Sequence, residues 1–242
     1  MHYGVALSAE VLAALPVAAR DRAAASRLPP WRAEEYAASR TLLRALLREI
    51  GEDLAGGPVA AHPSGRPYLP GRPDLGVSLS HSSGRVAAAV GRDRAVGVDV
   101  QTPSHVSDRV LGLCCSPADA EALASMPEAR RRAEFAWIFT VQEACVKAVG
   151  RGLSGRPWNV PVHLGQQTGD WGRVSWCAPR DGEPMPVGCA WSASPPAAGR
   201  AVPPTGPVTR GGAEPARRLS PPPRPGTRSR RPSGTAPSRP GP

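Results

Sequence analysis

The chain has 242 residues and a formal net charge of +10 at neutral pH. This length suits one large domain or two small ones and excludes a peptide or a small disulfide-stapled fold. The longest apolar stretch near the start, Val5 to Ala19, contains Glu10 and Pro16 and has no basic segment before it. It therefore matches neither a signal peptide nor a membrane span, and we expect a cytoplasmic protein that does not insert into membranes.

The cysteines favour neither a zinc site nor a disulfide framework. They are Cys114, Cys115, Cys145, Cys177 and Cys189. Their number is odd and no two have the CxxC spacing, so we expect reduced thiols that serve mostly in packing.

The positive charge is concentrated at the end of the chain. Ala193 to Pro242 contain nine arginines, a single acidic residue, Glu214, and 14 of the 30 prolines. These residues include few large aliphatic side chains, so burial cannot offset the entropy of ordering them. We predict a disordered Pro/Arg-rich tail over 193–242 after a nearly neutral folded part.

The first strong element is an amphipathic helix from Trp31 to Ile50. Pro29-Pro30 precede its start and Gly51 follows its end, which is the usual asymmetry of helix termini. Its apolar stripe contains Leu43 and Leu47, and the remaining faces carry arginines. These are Arg32, Arg40, Arg44 and Arg48.

Three short apolar runs follow, at Leu75 to Ser80, Arg85 to Val90 and Ala95 to Val100. The connections between them are short and polar enough for hairpins, so the runs predict an antiparallel meander of three strands.

The second part of the chain repeats the order of a helical and then a β region. Ser116-Pro117 predict the capped start of a short helix that ends near Ser125, and a longer helix runs from Glu128 to Val149. Three strands are predicted after it, at Asn159 to Leu164, Gly172 to Cys177 and Val187 to Trp191. The fold class is therefore α+β, with two similar halves over 1–101 and 102–192.

Two pairs of polar residues could carry chemistry. Asp99 and Gln101 are two apart on a predicted strand and project from one face. Glu143 and Lys147 are four apart on a helix, which is usually the spacing of a plain surface ion pair. However, Lys147 is the only lysine in a chain of 30 basic residues. A compact ammonium suits contact with a phosphate oxygen better than a guanidinium does, so we interpret Lys147 as functional.

His81 follows Ser80 at the end of a predicted strand, and Gly65-Arg66-Pro67 form a turn with a cation in it. Taken alone, His81 fits a hydrogen-bonded turn histidine as well as a functional residue. Gly65-Arg66-Pro67 taken alone fits an ordinary turn.

Four segments taken together resemble the 4′-phosphopantetheinyl transferases, in the larger, monomeric branch that activates peptide and polyketide synthases. They are Gly65 to Pro67, Val77 to Ser82, Val96 to Gln101 and Phe139 to Leu153. The order and spacing of four motifs make this signal stronger than any one motif would be. The resemblance covers about Arg20 to Val162.

The resemblance implies two α+β halves related by a pseudo-twofold axis, with coenzyme A between them. The implied enzyme is a monomer that transfers the phosphopantetheine arm to a serine of an acyl or peptidyl carrier protein and releases 3′,5′-ADP. Asp99, Gln101 and Glu143 would hold Mg²⁺, Lys147 would lie against the transferring phosphate, and Glu143 would be the general base.

The same resemblance implies a set of residues that contact coenzyme A. Ser80 and His81 would contact its phosphates, and Arg66 would take the place of a nucleotide-binding lysine. Arg40 and Thr41 match the helix of the family's N-terminal half.

Several positions depart from the family's pattern. Gln101 stands where a glutamate is frequent, and Phe139 and Gln142 replace a tryptophan and a lysine. Gln142 would weaken phosphate binding, because it lacks the charge of a lysine. Separately, a shifted reading frame would produce a tail with the composition of 193–242. A catalytically impaired relative that binds coenzyme A is therefore an alternative. A nucleic-acid-binding protein with a basic arm is a weaker one, because the tail has no aromatic residue for base stacking, and we expect no specific nucleic-acid partner.

Overall fold

The computed structural model describes residues 1–54, 56–151, 155–181, 183, 185–192 and the backbone of 217–218. The helices are α1 (Ser8–Ala14), α2 (Ala19–Ala25), α3 (Pro30–Glu49), α4 (Asp108–Cys114), α5 (Pro117–Ala124) and α6 (Glu128–Ala148), with a 3₁₀ turn at Pro157–Asn159. The strands are β1 (His2–Leu7), β2 (Ala60–Ala61), β3 (Pro67–Tyr68), β4 (Leu75–Ser82), β5 (Arg85–Arg92), β6 (Val96–Val100), β7 (Thr168–Trp171), β8 (Val174–Cys177), β9 (Val187–Ser192) and β10 (Arg217–Arg218). The predicted α+β class is confirmed.

The strands form two four-stranded sheets and a short hairpin. The first sheet has the order β10-β1-β5-β4, the second has the order β6-β9-β8-β7, and β2 pairs with β3. The predicted hairpin of β4 and β5 is confirmed, with Ser82 opposite Arg85 at its end. The predicted meander is wrong at its third strand, because β6 pairs with β9 and begins the second sheet. The pseudo-twofold relation and the boundaries of the two halves stay predictions.

Serine side chains join the two sheets where the edge strands β4 and β6 meet. The backbone N–H groups of Val98, Val100 and Thr102 donate to Ser78 Oγ, Ser80 Oγ and Ser82 Oγ at 3.1, 3.4 and 3.0 Å. Alternate residues of β4 therefore satisfy alternate donors of β6 and its extension, where a continuous sheet would use carbonyl oxygens.

Helix α3 forms the core of the first half with the first sheet. It was predicted over Trp31 to Ile50 and is found one residue earlier at each end. Leu43 and Leu47 of its apolar stripe are buried together with Val86 and Val90 of β5. The opposite stripe is not uniformly solvated, since Arg44 is buried and pairs with Asp21.

Helix α6 lies directly on the second sheet because two glycines face it. A Cβ atom on Gly97 of β6 would lie 1.9 Å from the carbonyl oxygen of Ala144, and one on Gly188 of β9 would lie 2.3 Å from that of Thr140. No side chain fits at either position, so the sequence brings the helix backbone against the strands. This contact determines the distance between the α6 side chains and β6.

Other predictions in the second half have mixed outcomes. The short capped helix is confirmed, with the Asp119 N–H donating to Ser116 Oγ at 3.2 Å. The strand predicted at Asn159 to Leu164 is wrong, because a 3₁₀ turn opens this segment and the Leu164 N–H donates to Asp119 instead of to a neighbouring strand. Several elements of both halves were not predicted, namely strands β1, β2, β3 and β7 and helices α1, α2 and α4.

Most of the segment predicted as a disordered tail lies outside the described residues. The exceptions are Arg217 and Arg218, whose backbone pairs in parallel with His2 and Tyr3 of β1. At these two positions the structure departs from the predicted disorder. Among the helices of the described residues, none combines the length and apolar character needed to cross a membrane.

Arg44 should be essential for stability. Its guanidinium donates to Asp21 Oδ2 at 2.7 Å and to the Gly57 carbonyl at 2.8 Å, and both charged side chains are buried. Arg44→Met leaves the Asp21 charge without its partner, so we expect the free energy of unfolding to fall by about 3 kcal/mol. Urea denaturation measures this, with exposed Arg48→Met as the matched control. Equal stability of the two variants would contradict the assignment.

Gln142 should contribute to stability because its side chain is buried within the second half. Its amide donates to the Cys114 carbonyl at 2.7 Å and to the Val160 carbonyl at 3.0 Å. Gln142→Leu leaves both carbonyls unpaired, and we expect a loss of about 2 kcal/mol in the free energy of unfolding. Exposed Gln167→Leu is the control, and its stability should match that of the parent.

Candidate functional site

Three elements bring polar residues together at the junction of the two sheets. Ser80 comes from β4, Asp99 from β6, and Glu143 and Lys147 from α6. The serine bonds align β4 with β6, and the glycine contacts place α6 over β6. Residues as far apart in the chain as Ser80 and Lys147 therefore share one cluster.

The Lys147 ammonium is the centre of this cluster. Its Nζ donates to Asp99 Oδ1 at 2.6 Å, to Ser80 Oγ at 3.2 Å and to the Val98 carbonyl at 3.2 Å. Ser80 Oγ in turn donates to Asp99 Oδ1 at 2.7 Å. All three ammonium protons thus have acceptors. Glu143, which the helical spacing predicted as a possible partner, does not form this ion pair.

Glu143 lies beside the cluster but differs from Lys147 in its hydrogen bonding. The residue is 7% exposed, and its Oε1 is a buried acceptor with no hydrogen-bond partner among the described residues. Burial raises the pKa of its carboxyl, the charge of Asp99 raises it further, and Lys147 opposes both. A carboxylate so placed is a stronger base than usual and has an oxygen available to a ligand.

His81 has two partners that the sequence analysis did not find. Glu35 Oε2 lies 3.1 Å from His81 Nδ1, and the guanidinium of Arg32 contacts His81 Nε2. Burial lowers the pKa of His81, and the charge of Arg32 lowers it further against the opposite effect of Glu35. In the neutral ring, Nδ1–H donates to Glu35 and Nε2 accepts from Arg32.

Arg32 and Glu35 are three apart in the first turns of α3, so they share a face. Nothing in their spacing relates them to a histidine at the end of β4. A pocket of about 480 Å³ opens beside these residues, lined by Trp31, Glu34, Glu35, His81 and the turn over 82–84.

Arg66 is brought to the end of α6 from the other half of the chain. It lies in the turn between β2 and β3, where the His62 N–H donates to its carbonyl at 2.9 Å. A Cβ atom on Gly150 would lie 2.9 Å from Arg66 Nη1, so the guanidinium closely approaches the chain just after α6. Burial lowers the pKa of Arg66.

Arg40 and Thr41 lie on α3 with polar atoms that lack partners. The Arg40 guanidinium stacks 3.5 Å above the Tyr36 ring, and burial lowers its pKa. Arg40 Nε and Thr41 Oγ1 are buried and have no hydrogen-bond partner in the part of the chain that the structure describes. Within the described residues, no hydrogen bond or ion pair connects these two side chains to the cluster of Lys147.

Two of the departures from the family's pattern have clear locations. Gln142 faces the core, with its amide bonded to backbone carbonyls. The expected effect of its missing charge on phosphate binding stays a prediction. Gln101 follows β6, and its N–H donates to the Pro186 carbonyl at 3.2 Å. No hydrogen bond joins the Gln101 side chain to Asp99 or Glu143 in the described part of the chain.

The described residues contain no group of three His, Cys, Asp or Glu side chains that could hold a metal ion. The magnesium ligands predicted from the sequence include only two such side chains, Asp99 and Glu143, so the prediction does not depend on a group of three. Gly152 and Leu153, which close the fourth motif, lie outside the described residues.

Comparisons with known proteins match both halves of the chain. Residues 20–91 match the 4′-phosphopantetheinyl transferase N-terminal domain, and residues 95–184 match the 4′-phosphopantetheinyl transferase superfamily. The two matches meet between β5 and β6, where the first sheet ends and the second begins.

Individual relatives carry the same description. A 4′-phosphopantetheinyl transferase of Bacillus subtilis is 26% identical over 123 residues, 48% of this chain and 54% of the relative. The 4′-phosphopantetheinyl transferase Svp of Streptomyces mobaraensis is 34% identical over 135 residues, 53% of this chain and 52% of the relative. The chain spans about half the length of the curated relatives it matches. Both matches and the relatives name one family: the chain belongs to the 4′-phosphopantetheinyl transferase superfamily, in its larger branch.

Proposed function

We propose that this protein transfers the 4′-phosphopantetheine group of coenzyme A to a serine hydroxyl of an acyl or peptidyl carrier protein and releases 3′,5′-ADP. The observation that carries the proposal is the cluster of Ser80, Asp99 and Lys147, with Glu143 beside it. The names of the relatives support the same reaction.

The reaction breaks a phosphoanhydride bond and forms a phosphodiester with the serine oxygen. The pyrophosphate carries negative charge throughout, so the site must neutralise charge and remove the hydroxyl proton. Lys147 supplies a point charge in a fixed position, because Asp99, Ser80 and the Val98 carbonyl hold its ammonium from three sides. A substrate phosphate oxygen would replace one of these three acceptors.

Glu143 is the residue we propose as the base. Its unpartnered Oε1 is able to accept the proton of the serine hydroxyl, and its raised pKa makes the carboxylate a better acceptor. Asp99 is less suited, because its Oδ1 already accepts from Lys147 and Ser80.

The donor set fits a magnesium ion. Mg²⁺ prefers oxygen ligands and uses one or two carboxylates together with substrate phosphates. Asp99 and Glu143 are near enough for the charge of one to raise the pKa of the other, and Glu143 Oε1 is a buried oxygen without a partner. We propose that these two residues and Gln101 hold the ion, which when bound would neutralise charge on the pyrophosphate.

Other polar residues near the cluster and on α3 are proposed to contact coenzyme A. His81 directly follows Ser80 of the cluster and Arg66 lies close to Gly150, just after α6, and we propose that both contact the phosphates of coenzyme A. Arg40 and Thr41 on α3 are proposed as further contacts with coenzyme A, since each has a buried polar atom without a partner. Arg32 belongs to the same proposal because it contacts the His81 ring.

The central test is incubation of an apo carrier protein with coenzyme A, Mg²⁺ and this protein, followed by intact mass measurement of the carrier. We expect the carrier to gain one phosphopantetheine group. Asp99→Ala and Glu143→Ala should each abolish the gain, because removal of either carboxylate leaves the cation and the proton poorly held. Glu10→Ala, an exposed acidic residue of α1, is the matched control and should transfer at the parental rate.

Binding of coenzyme A without any gain in carrier mass would favour the impaired relative. Near-parental transfer by Asp99→Ala or Glu143→Ala would contradict the assignment of the site.

Lys147 provides the second test. We expect Lys147→Ala to lower kcat/KM for coenzyme A about 100-fold, the usual loss on removal of one charge-stabilising donor. Lys147→Arg should recover only part of this loss, because a planar guanidinium cannot donate to three acceptors converging on one point. Steady-state kinetics of the parent and both variants measure the effect, with Arg48→Lys as a surface control. Full recovery of kcat/KM by Lys147→Arg would contradict our interpretation that an ammonium, rather than a guanidinium, is required at this position.

A further inference from the structure

Two cysteines lie directly opposite each other in the second sheet. Cys177 at the end of β8 pairs with Cys189 of β9 in an antiparallel register. Directly opposed residues of antiparallel strands point to the same face, with Cα atoms about 4.5 or 5.5 Å apart. Both separations fall within the range of about 4.4–6.8 Å that a disulfide spans.

The two opposed thiols have different environments. Both are reduced, Cys177 is partly exposed and Cys189 is buried. A Cys177 thiolate would accept a hydrogen bond from the Cys189 thiol, which lowers the pKa of Cys177. Burial, followed by this hydrogen bond, raises the pKa of Cys189. The accessible member of the pair is therefore the more acidic one.

The other three cysteines lack these features. Cys145 is buried in α6, and burial raises its pKa. Burial also raises the pKa of Cys114, and that of Cys115 to about 12. The thiolate is the nucleophile in thiol–disulfide exchange. All five cysteines lie in the described residues, and Cys177 is the one among them that is favoured as the attacking nucleophile.

We propose that Cys177 and Cys189 form a reversible dithiol–disulfide pair, which a small disulfide such as glutathione disulfide oxidises. The Cys177 thiolate attacks one sulfur of glutathione disulfide, forms a mixed disulfide and releases one glutathione thiolate. Cys189 then loses its proton and attacks the Cys177 sulfur, which releases the second glutathione. The two protein thiols lose two electrons, and glutathione disulfide gains them.

The disulfide would act as a staple within the sheet that carries Asp99. Strand β9 pairs with β8 on one side and with β6 on the other, where Val98 is opposite Cys189 and Asp99 is opposite Gly188. The bond closes a short chain segment between adjacent strands, which reduces the freedom of the unfolded chain. The oxidised protein should therefore melt at a higher temperature than the reduced protein.

The test uses the full chain, treated either with glutathione disulfide or with dithiothreitol, and then alkylated. We expect the oxidised sample to lose the mass of two hydrogens and to yield one linked peptide pair that joins Cys177 to Cys189. Cys177→Ser should abolish the link, and Cys189→Ala should retain one glutathione on Cys177. Cys115→Ser, a partly exposed cysteine outside the pair, should form the link as the parent does.

Three results would overturn the proposal. One is a stable glutathione adduct on Cys177 of the parent protein, because Cys189 would then fail to resolve it. Another is a link between other cysteines, and the third is no reaction at all. Since the parent's peptide map decides between these outcomes, the proposal stays testable if Cys189→Ala does not fold. Equal melting temperatures of the oxidised and reduced parent would contradict the staple.

Discussion

The side-by-side contact of β4 and β6 is the constraint on which the rest of the site depends. Each strand is the edge of its own sheet, and an unpaired edge leaves backbone donors without acceptors. Ser78, Ser80 and Ser82 supply the missing acceptors to β6 and its extension. Ser80 has a second role, because its hydroxyl also donates to Asp99 and accepts from Lys147. The bond that joins the sheets is thus part of the candidate site.

The second requirement is the close approach of α6, which the glycines permit. Alanine at Gly97 or Gly188 would place a methyl group inside the backbone of the helix. The helix would have to move away from β6, and Lys147 would then lose its short contacts with Asp99 and the Val98 carbonyl. Residues without side chains therefore determine the distance between the charged groups, and the chemistry depends on them as much as on the charged residues.

The sequence could predict elements with strong periodicity and clear ends, such as α3, α6 and the hairpin of β4 and β5. It could also single out Asp99 and Lys147, which the structure brings into contact. That they and Glu143 carry chemistry stays a prediction. The sequence could not predict that β6 pairs with β9, because the hairpin spacing after β5 is equally compatible with a meander and only the packing of α6 decides. The burial of Gln142 and the contacts of Arg32 and Glu35 with His81 depend on tertiary approach. No local pattern reports such contacts, so these roles were missed or misassigned.

Glu143 and Lys147 occupy adjacent turns of α6, yet the fold supplies hydrogen-bond partners to Lys147 and leaves one oxygen of Glu143 without a partner among the described residues. Lys147 has an acceptor for each of its protons, so its charge is held in place before any ligand arrives. Glu143 has a buried oxygen with no partner, which costs free energy in the folded state. That cost is recovered if a cation or a hydroxyl group binds there, because either one supplies the missing partner. The asymmetry thus favours a site in which the lysine is preorganised and the glutamate is completed by its ligand.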